Sequence, residues 1–476
     1  MRSTLGKSLA LGLLLSACSV EIVPEQNAVS NADQAKAPAA WSDKTAAQLR
    51  KAIDARGAHG LDHVEFGAVS SDDAGRNGQA LRFAAALARG ASDPTKLYDV
   101  YTVARPNPDL KAGLAAALRA GDLARWLDGL APQDANYKRL SEAYLKVQRQ
   151  PEGPAAAIAS TDEAIEPGAV DLRLPAIARQ LAILDYLAAD ATPADRYAPA
   201  MVAAVRRMQA DYGMKPDGII GREALAILNM SDADRLRAIA VAMERLRWLE
   251  HVPPATRIDV NVAAARLTYW RDGKIVDSRK VVVGKPDADT PQLGSPIFRL
   301  VANPTWTVPR SIQEKEIAKK GAGYLNANNM VWKDGWIVQQ PGPKNSLGLV
   351  KFDMQNDHAI YLHDTPAKPL FAEVQRHRSH GCVRVEDALG FAEMLARDEG
   401  VLEQWHQARG TGKETFVKLP HQIPVRMLYQ TVLFDDAGEP IVRNDPYGWD
   451  DRVGVALGFK EGKALRVESG AADVGP

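Results

Sequence analysis

Ser379-His380-Gly381-Cys382-Val383-Arg384 follows Tyr361-Leu362-His363-Asp364-Thr365-Pro366, with fifteen residues between His363 and Ser379. A thiol attacks a carbonyl carbon as its thiolate, so a cysteine nucleophile needs a base or cation beside it. His363 closes the apolar run Ile360-Tyr361-Leu362, which has strand character. It becomes that base if the fold sets the strand end beside the Cys382 turn. Taken singly, a histidine on an apolar strand is more often a packing or surface residue. The two stretches together point to a cysteine–histidine pair.

Outward from these motifs the pattern has period two. Ile258, Val260 and Val262 alternate with polar residues, Leu267-Thr268-Tyr269-Trp270 follows, and Asp272-Gly273 marks a hairpin before Val281-Val282-Val283. Further strands are expected near 298–301, 348–352 and 359–362. Residues 257–430 are thus expected to form a mostly β, sandwich-like domain holding both candidate catalytic residues. The stretch between Pro309 and Leu347 is rich in Gly, Asn, Lys and Trp and too long for an ordinary connection. It is expected as an inserted lid over about residues 311–346, with Trp332 or Trp336 as apolar cover.

The preceding half is helical. Leu81, Ala84, Ala85 and Ala88 keep helical spacing, and Pro106, Pro108 and Pro132 break it, which suggests a helical domain over 41–165. Met201, Val202, Val205 and Met208, the turn Asp217-Gly218, then Ala224, Leu225 and Leu228 make a compact helical unit over 166–230. A linking helix is expected within 231–256 and a C-terminal tail over 431–476. The fold class is therefore α+β, in several domains.

The other of the two cysteines in 476 residues, Cys18, closes Leu15-Ser16-Ala17-Cys18 after a basic end (Arg2, Lys7) and a short apolar core. This is the anatomy of a secretion signal, and its apolar core is too short to cross a bilayer. Residues 19–40 are rich in Asn, Gln, Ala and Pro and read as a flexible tether. Lysine plus arginine balance aspartate plus glutamate at 59 each, which argues against a general nucleic-acid binder.

Leu15-Ser16-Ala17-Cys18 resembles a bacterial lipoprotein box, which implies lipidation of Cys18 and membrane attachment through lipid. Ser19 after the cysteine points, by that resemblance, to the outer membrane and so to a periplasmic protein. Cys382 then remains as a lone thiol in an oxidising compartment. The two motifs around His363 and Cys382 resemble the L,D-transpeptidase family with its YkuD-type catalytic domain. Asn303-Pro304-Thr305-Trp306-Thr307-Val308-Pro309 fits the large subfamily with an inserted lid. Gly60-Leu61-Asp62 and Leu130-Ala131-Pro132-Gln133-Asp134 resemble its helical scaffold. Ala204-Val205-Arg206-Arg207-Met208-Gln209 with Pro216-Asp217-Gly218 resembles a three-helix peptidoglycan-binding module.

The resemblance implies that Cys382 is the nucleophile and His363 its base, oriented by the backbone carbonyl of Asp364. The amides of Gly381 and Cys382 would face the oxyanion, helped by the Tyr361 hydroxyl. Arg384 would grip a substrate carboxylate, and Trp306, His380, Ser379 and Asp364 would line or hold the pocket. The implied substrates are peptidoglycan stem peptides, a tetrapeptide donor and an amine acceptor joined 3→3 through a thioester, with no cofactor. Hydrolysis of the same thioester would make an L,D-carboxypeptidase.

Three rivals are weaker. A Cys/His metal site among His358, His363, His377, His380 and Cys382 lacks a zinc-ligand spacing. A papain-like peptidase carries its cysteine before its histidine, the reverse of the order here. A non-catalytic, lipid-anchored wall-binding protein needs no intact pair.

Overall fold

The computed structural model describes residues 40–149, 157–160, 163–188, 195–435 and 437–462. Cys18, with the expected signal and nearly all of the tether, lies outside them. Among the described residues no helix is long and apolar enough to cross a membrane.

The protein is α+β and multidomain. Helices Asp43–Asp54, Asp73–Arg89, Leu110–Ala120 and Ala135–Arg149 make the N-terminal scaffold. The first begins at a capping box in which Ser42 and Thr45 each bond the other's backbone amide, satisfying donors that a helix start leaves open. Asp232–Arg247, expected as a linker, is instead part of this core, with Ile239, Val241 and Met243 buried among Phe83, Leu87 and Tyr144. Glu244 on it is fully buried and accepts from Ser92 N and Oγ, both at 2.6 Å, and from Arg247 Nη2 at 2.6 Å.

A separate core belongs to the three helices Leu174–Ile183, Pro199–Asp211 and Arg222–Leu228. Met201, Val202, Val205 and Met208 form its buried face. The buried Gln209 side chain clamps the Asp217-Gly218 turn, accepting from Gly218 N at 2.8 Å and donating to Ile219 O at 2.9 Å.

The C-terminal half is built on one ten-stranded sheet. In chain order its strands are β1 Arg257–Asn261, β2 Arg266–Arg271, β3 Lys274–Gly284 and β4 Ile297–Ala302, then, after the insertion, β8 Val350–Met354, β9 Leu362–His363, β10 His377–Ser379, β11 Val383–Val385, β12 Thr415–Ile423 and β13 Val425–Leu428. Across the sheet they run β12-β4-β8-β9-β11-β3-β2-β1-β13, with β10 also on β3. Phe391, on the helix Ala388–Asp398, lies 6.0 Å from the Tyr269 ring and 5.5 Å from the Phe352 ring. One helix thus touches both halves of the sheet, which folds around it. The insertion carries β5 Trp306–Thr307, β6 Met330–Lys333 and β7 Trp336–Gln339 as a small antiparallel sheet. It has its own core of Trp306, Val308, Ile312, Ile317, Leu325, Met330, Ile337 and Leu347, against which Tyr361 packs.

The described residues of the expected C-terminal tail, 431–435 and 437–462, are packed rather than trailing. Strands β14 Val432–Phe434 and β15 Pro440–Val442 pair antiparallel, and the helix Trp449–Ala456 follows. Tyr447, Trp449, Val453 and Leu457 are buried in the same core as the scaffold and the sheet. Asp450 accepts from Arg245 Nη1 at 2.5 Å, and that guanidinium also lies 5.0 Å over the Tyr429 ring. Sequence alone hid this because the apolar residues are few and widely spaced, and they find cover only in tertiary contact. Trp449→Ala should therefore lower the free energy of unfolding by about 3–5 kcal/mol, as for other buried large-to-small changes. Val252→Ala, at a side chain 88% exposed, should stay within about 0.5 kcal/mol. Urea denaturation followed by tryptophan fluorescence and circular dichroism checks both, and equal midpoints would contradict the packed segment.

Candidate active site

Strands β9 and β11 lie side by side and parallel, with Leu362 opposite Val383 and His363 opposite Arg384. Alternate residues of a strand share a face, so Tyr361 and His363 fall on the same side as Cys382 and Arg384. Leu362 and Val383 turn the other way, into the core with Phe352. The row continues outward: Arg384 opposes Val282, His363 opposes Lys351, and Lys351 opposes Val301. The Tyr361 and His363 rings meet edge to face at 5.7 Å, and the Lys351 ammonium lies 4.3 Å from the Tyr361 ring centre.

Cys382 is only 6% exposed, and its thiol donates to the carbonyl of Ala359 at 3.7 Å. Ala359 has φ +55°, a left-handed conformation uncommon outside glycine, held by the Asn356 side chain, which bonds the backbone of His358 and Ile360. Burial pushes the thiol up to about 11. Hydrogen bonds from the Tyr361 amide and hydroxyl and the charges of Lys351 and Arg384 oppose that rise without cancelling it. His363 is fully buried, with Nδ1 2.5 Å from Asp364 O, and Nε2 has no hydrogen-bond partner among the described residues. Burial, then Arg384, Lys351 and Lys368, hold its imidazole well below the usual histidine range, against the Asp364 carbonyl. The resting pair is thus a neutral thiol and a neutral imidazole that do not hydrogen-bond to one another. With Nδ1–H directed at the Asp364 carbonyl, Nε2 keeps the lone pair that takes a proton.

The remaining expected residues divide. Ser379 is buried and ties the loop together, donating to Cys382 O at 2.6 Å and accepting from Gly381 N at 3.2 Å. It is out of reach as a substrate contact. The same bond corrects a second expectation: the Gly381 amide, expected to face the oxyanion, is already engaged. The Cys382 amide makes no hydrogen bond among the described residues. Gly381 has φ +116°, which L side chains rarely adopt, so glycine is required there for the turn itself. The Asp364 carboxylate is buried and taken by Lys368 Nζ and Leu349 N, so it too is structural rather than substrate-binding. Trp306 belongs to the core of the insertion and does not wall an open pocket. Arg384 is buried, its charge beside His363 and Cys382.

His380 points to the insertion, where its Nε2 lies 2.8 Å from Glu316 Oε1. Glu316 sits on a π-helical turn, Gln313–Ile317. The insertion thus touches the catalytic loop one residue before Gly381. Trp332 is 56% exposed, and Trp336 carries the Arg310 guanidinium 3.9 Å over its ring. Lys351, Ala359 and Glu316 were not singled out from sequence. Lys351 was within reach, because Val350-Lys351-Phe352-Asp353 alternates and sets Lys351 on the polar face. The other two meet the site only through folding. Among the described residues no group of three or more His, Cys, Asp or Glu is arranged to hold a metal ion.

Residues 255–417 match the YkuD family, the L,D-transpeptidase catalytic domain. The chain carries an L,D-transpeptidase catalytic domain. Ahead of it, residues 33–143 match the scaffold domain and residues 174–228 a peptidoglycan-binding domain. A relative from Haemophilus influenzae named "Putative L,D-transpeptidase" is 32% identical over 227 residues, 42% of this chain. The match spans 45% of that relative's length. Among solved structures, an L,D-transpeptidase from Stackebrandtia nassauensis aligns at 14% identity and TM-score 0.25, over 57% of this chain and 97% of that one. One from Mycobacterium smegmatis aligns at 12% and 0.21, over 36% and 58%.

The buried neutral thiol of the L,D-transpeptidase domain has a measurable signature. Iodoacetamide alkylation of Cys382 should climb with pH toward a midpoint near 11, above the ~8.5 of a free cysteine. A plateau reached below the free-thiol value, by mass spectrometry of alkylated protein against pH, would mean a preformed thiolate instead.

Proposed function

We propose that this protein is a lipid-anchored periplasmic enzyme that joins peptidoglycan stem peptides by 3→3 cross-links. The parallel pairing of β9 and β11 carries the proposal, since it sets thiol, imidazole, phenol and guanidinium on one face. The Cys382 side chain turns from Ala359 O toward His363, whose Nε2 takes the thiol proton as sulfur attacks the carbonyl of the third stem residue. Negative charge on the carbonyl oxygen meets the Cys382 amide and the Tyr361 hydroxyl. Burial keeps that phenol protonated and hence a donor. The C–N bond to the terminal D-alanine breaks, and His363 returns its proton to the leaving amine. An amine of a second stem then attacks the thioester, gives its proton to His363 and expels the Cys382 thiolate, which recovers it. Arg384, fixed beside the pair, supplies a positive field for donor carboxylates. The match of residues 174–228 supports peptidoglycan as the polymer on which the donor is held.

Cys382→Ala should abolish cross-linking, and His363→Ala should lower it by about 10²–10⁴-fold, with folding retained. Intact-mass spectrometry after incubation with a tetrapeptide muropeptide should show Cys382 gaining the donor mass less D-alanine. Equal labelling from a pentapeptide, or cross-linking by Cys382→Ala, refutes the proposal, and accumulation of tripeptide without cross-links reassigns the enzyme as an L,D-carboxypeptidase. Separately, Cys18→Ala should release the protein from the membrane fraction or block its maturation. Unchanged retention on fractionation argues against the lipid anchor.

A further inference from the structure

The Gly381–Cys382 peptide is held from a direction that the catalytic motif does not contain. Thr290 Oγ1 donates to Gly381 O at 2.8 Å and accepts from Gly284 N at 2.9 Å, with Thr290 wholly buried. A trans peptide is planar, so its carbonyl and the N–H of the next residue point in opposite directions. Fixing Gly381 O therefore aims the Cys382 N–H, the amide left open in this loop.

Thr290 is itself braced. Its amide donates to Tyr447 Oη at 3.3 Å, and that hydroxyl donates to Gly284 O at 2.6 Å. Tyr447 stacks on Tyr429 at 5.5 Å and meets Trp449 at 4.9 Å. It lies beyond the matched catalytic domain, in the segment that Asp450 pins to Arg245 of the scaffold helix.

We propose that Thr290, braced by Tyr447, is a positioning residue for acyl transfer: it holds the Gly381–Cys382 peptide plane so that the Cys382 amide meets the oxyanion. The catalytic loop then depends on a C-terminal segment outside the catalytic domain. This inference rests on acyl transfer by Cys382, as proposed above.

Two reactions of the same thiol separate aim from reactivity. With a p-nitrophenyl ester, sulfur bonds to the carbonyl carbon, an oxyanion forms, and collapse expels p-nitrophenolate while His363 accepts the thiol proton. With iodoacetamide, sulfur displaces iodide at a saturated carbon and no oxyanion arises. In the full chain, Thr290→Val should slow ester acylation by about 10- to 100-fold and leave alkylation near wild type, while Thr290→Ser restores acylation. Tyr447→Phe, which removes one oxygen, should show a smaller loss of the same selective kind and carries the test if Thr290→Val does not fold. Parallel losses in both reactions, or unaltered ester acylation in a folded variant, overturn the positioning role. Wild-type protein that is alkylated but acylated by neither ester nor muropeptide sinks acyl transfer itself, and the inference with it.

Discussion

The register of two very short strands governs this protein. β9 has two residues and β11 three, yet their parallel alignment decides which side chains share a face. Because side chains alternate with period two, a slip of one residue would turn His363 into the apolar layer and Leu362 toward the thiol. So short a pair cannot hold its own register. β8 on one side and β3 on the other lock it, and both are tied into the sheet wrapped around Phe391. Parallel neighbours also need a crossover, and residues 364–382 supply it while delivering Cys382 at its end.

Burial sets the chemistry of this face. Removing the site from water raises the thiol and lowers the imidazole, so each is driven to its neutral form. Arg384 and Lys351 act on both groups with the same sign, easing thiolate formation while disfavouring an imidazolium. Charge separation is therefore costly at rest and must be met by donors placed in advance. Ser379 and Thr290 each spend a hydroxyl on holding the loop, which leaves the Cys382 amide open.

The scaffold and the catalytic sheet are not independent beads. The helix Asp232–Arg247 buries Glu244 with Arg247 and pairs Arg245 with Asp450, across 205 residues of sequence. Buried ion pairs gain little net stability over apolar packing, but leaving one partner alone is strongly unfavourable. Such pairs therefore penalise any arrangement in which scaffold and C-terminal segment come apart. Gln375, just ahead of β10, adds a contact to the three-helix module by donating to Gly213 O at 2.8 Å.

Much was legible in the chain itself. Period-two runs placed the β half, helical spacing placed the module, and the pattern of His363 with Ser379 to Arg384 carried the family resemblance, because local chemistry needs particular residues at particular spacings. The backbone carbonyl of Asp364 beside His363 was implied by that resemblance, and the structure places it there. Contacts between distant segments did not follow. Thr290 and Tyr447 are 157 residues apart, and neither lies in a motif. The engagement of the Gly381 amide, the neutral resting state of the pair and the packing of residues 431–462 arise from burial and peptide orientation. These are properties of the folded surroundings rather than of residue identity, so they became definite only when the sheet closed around its helix and the C-terminal segment closed against both.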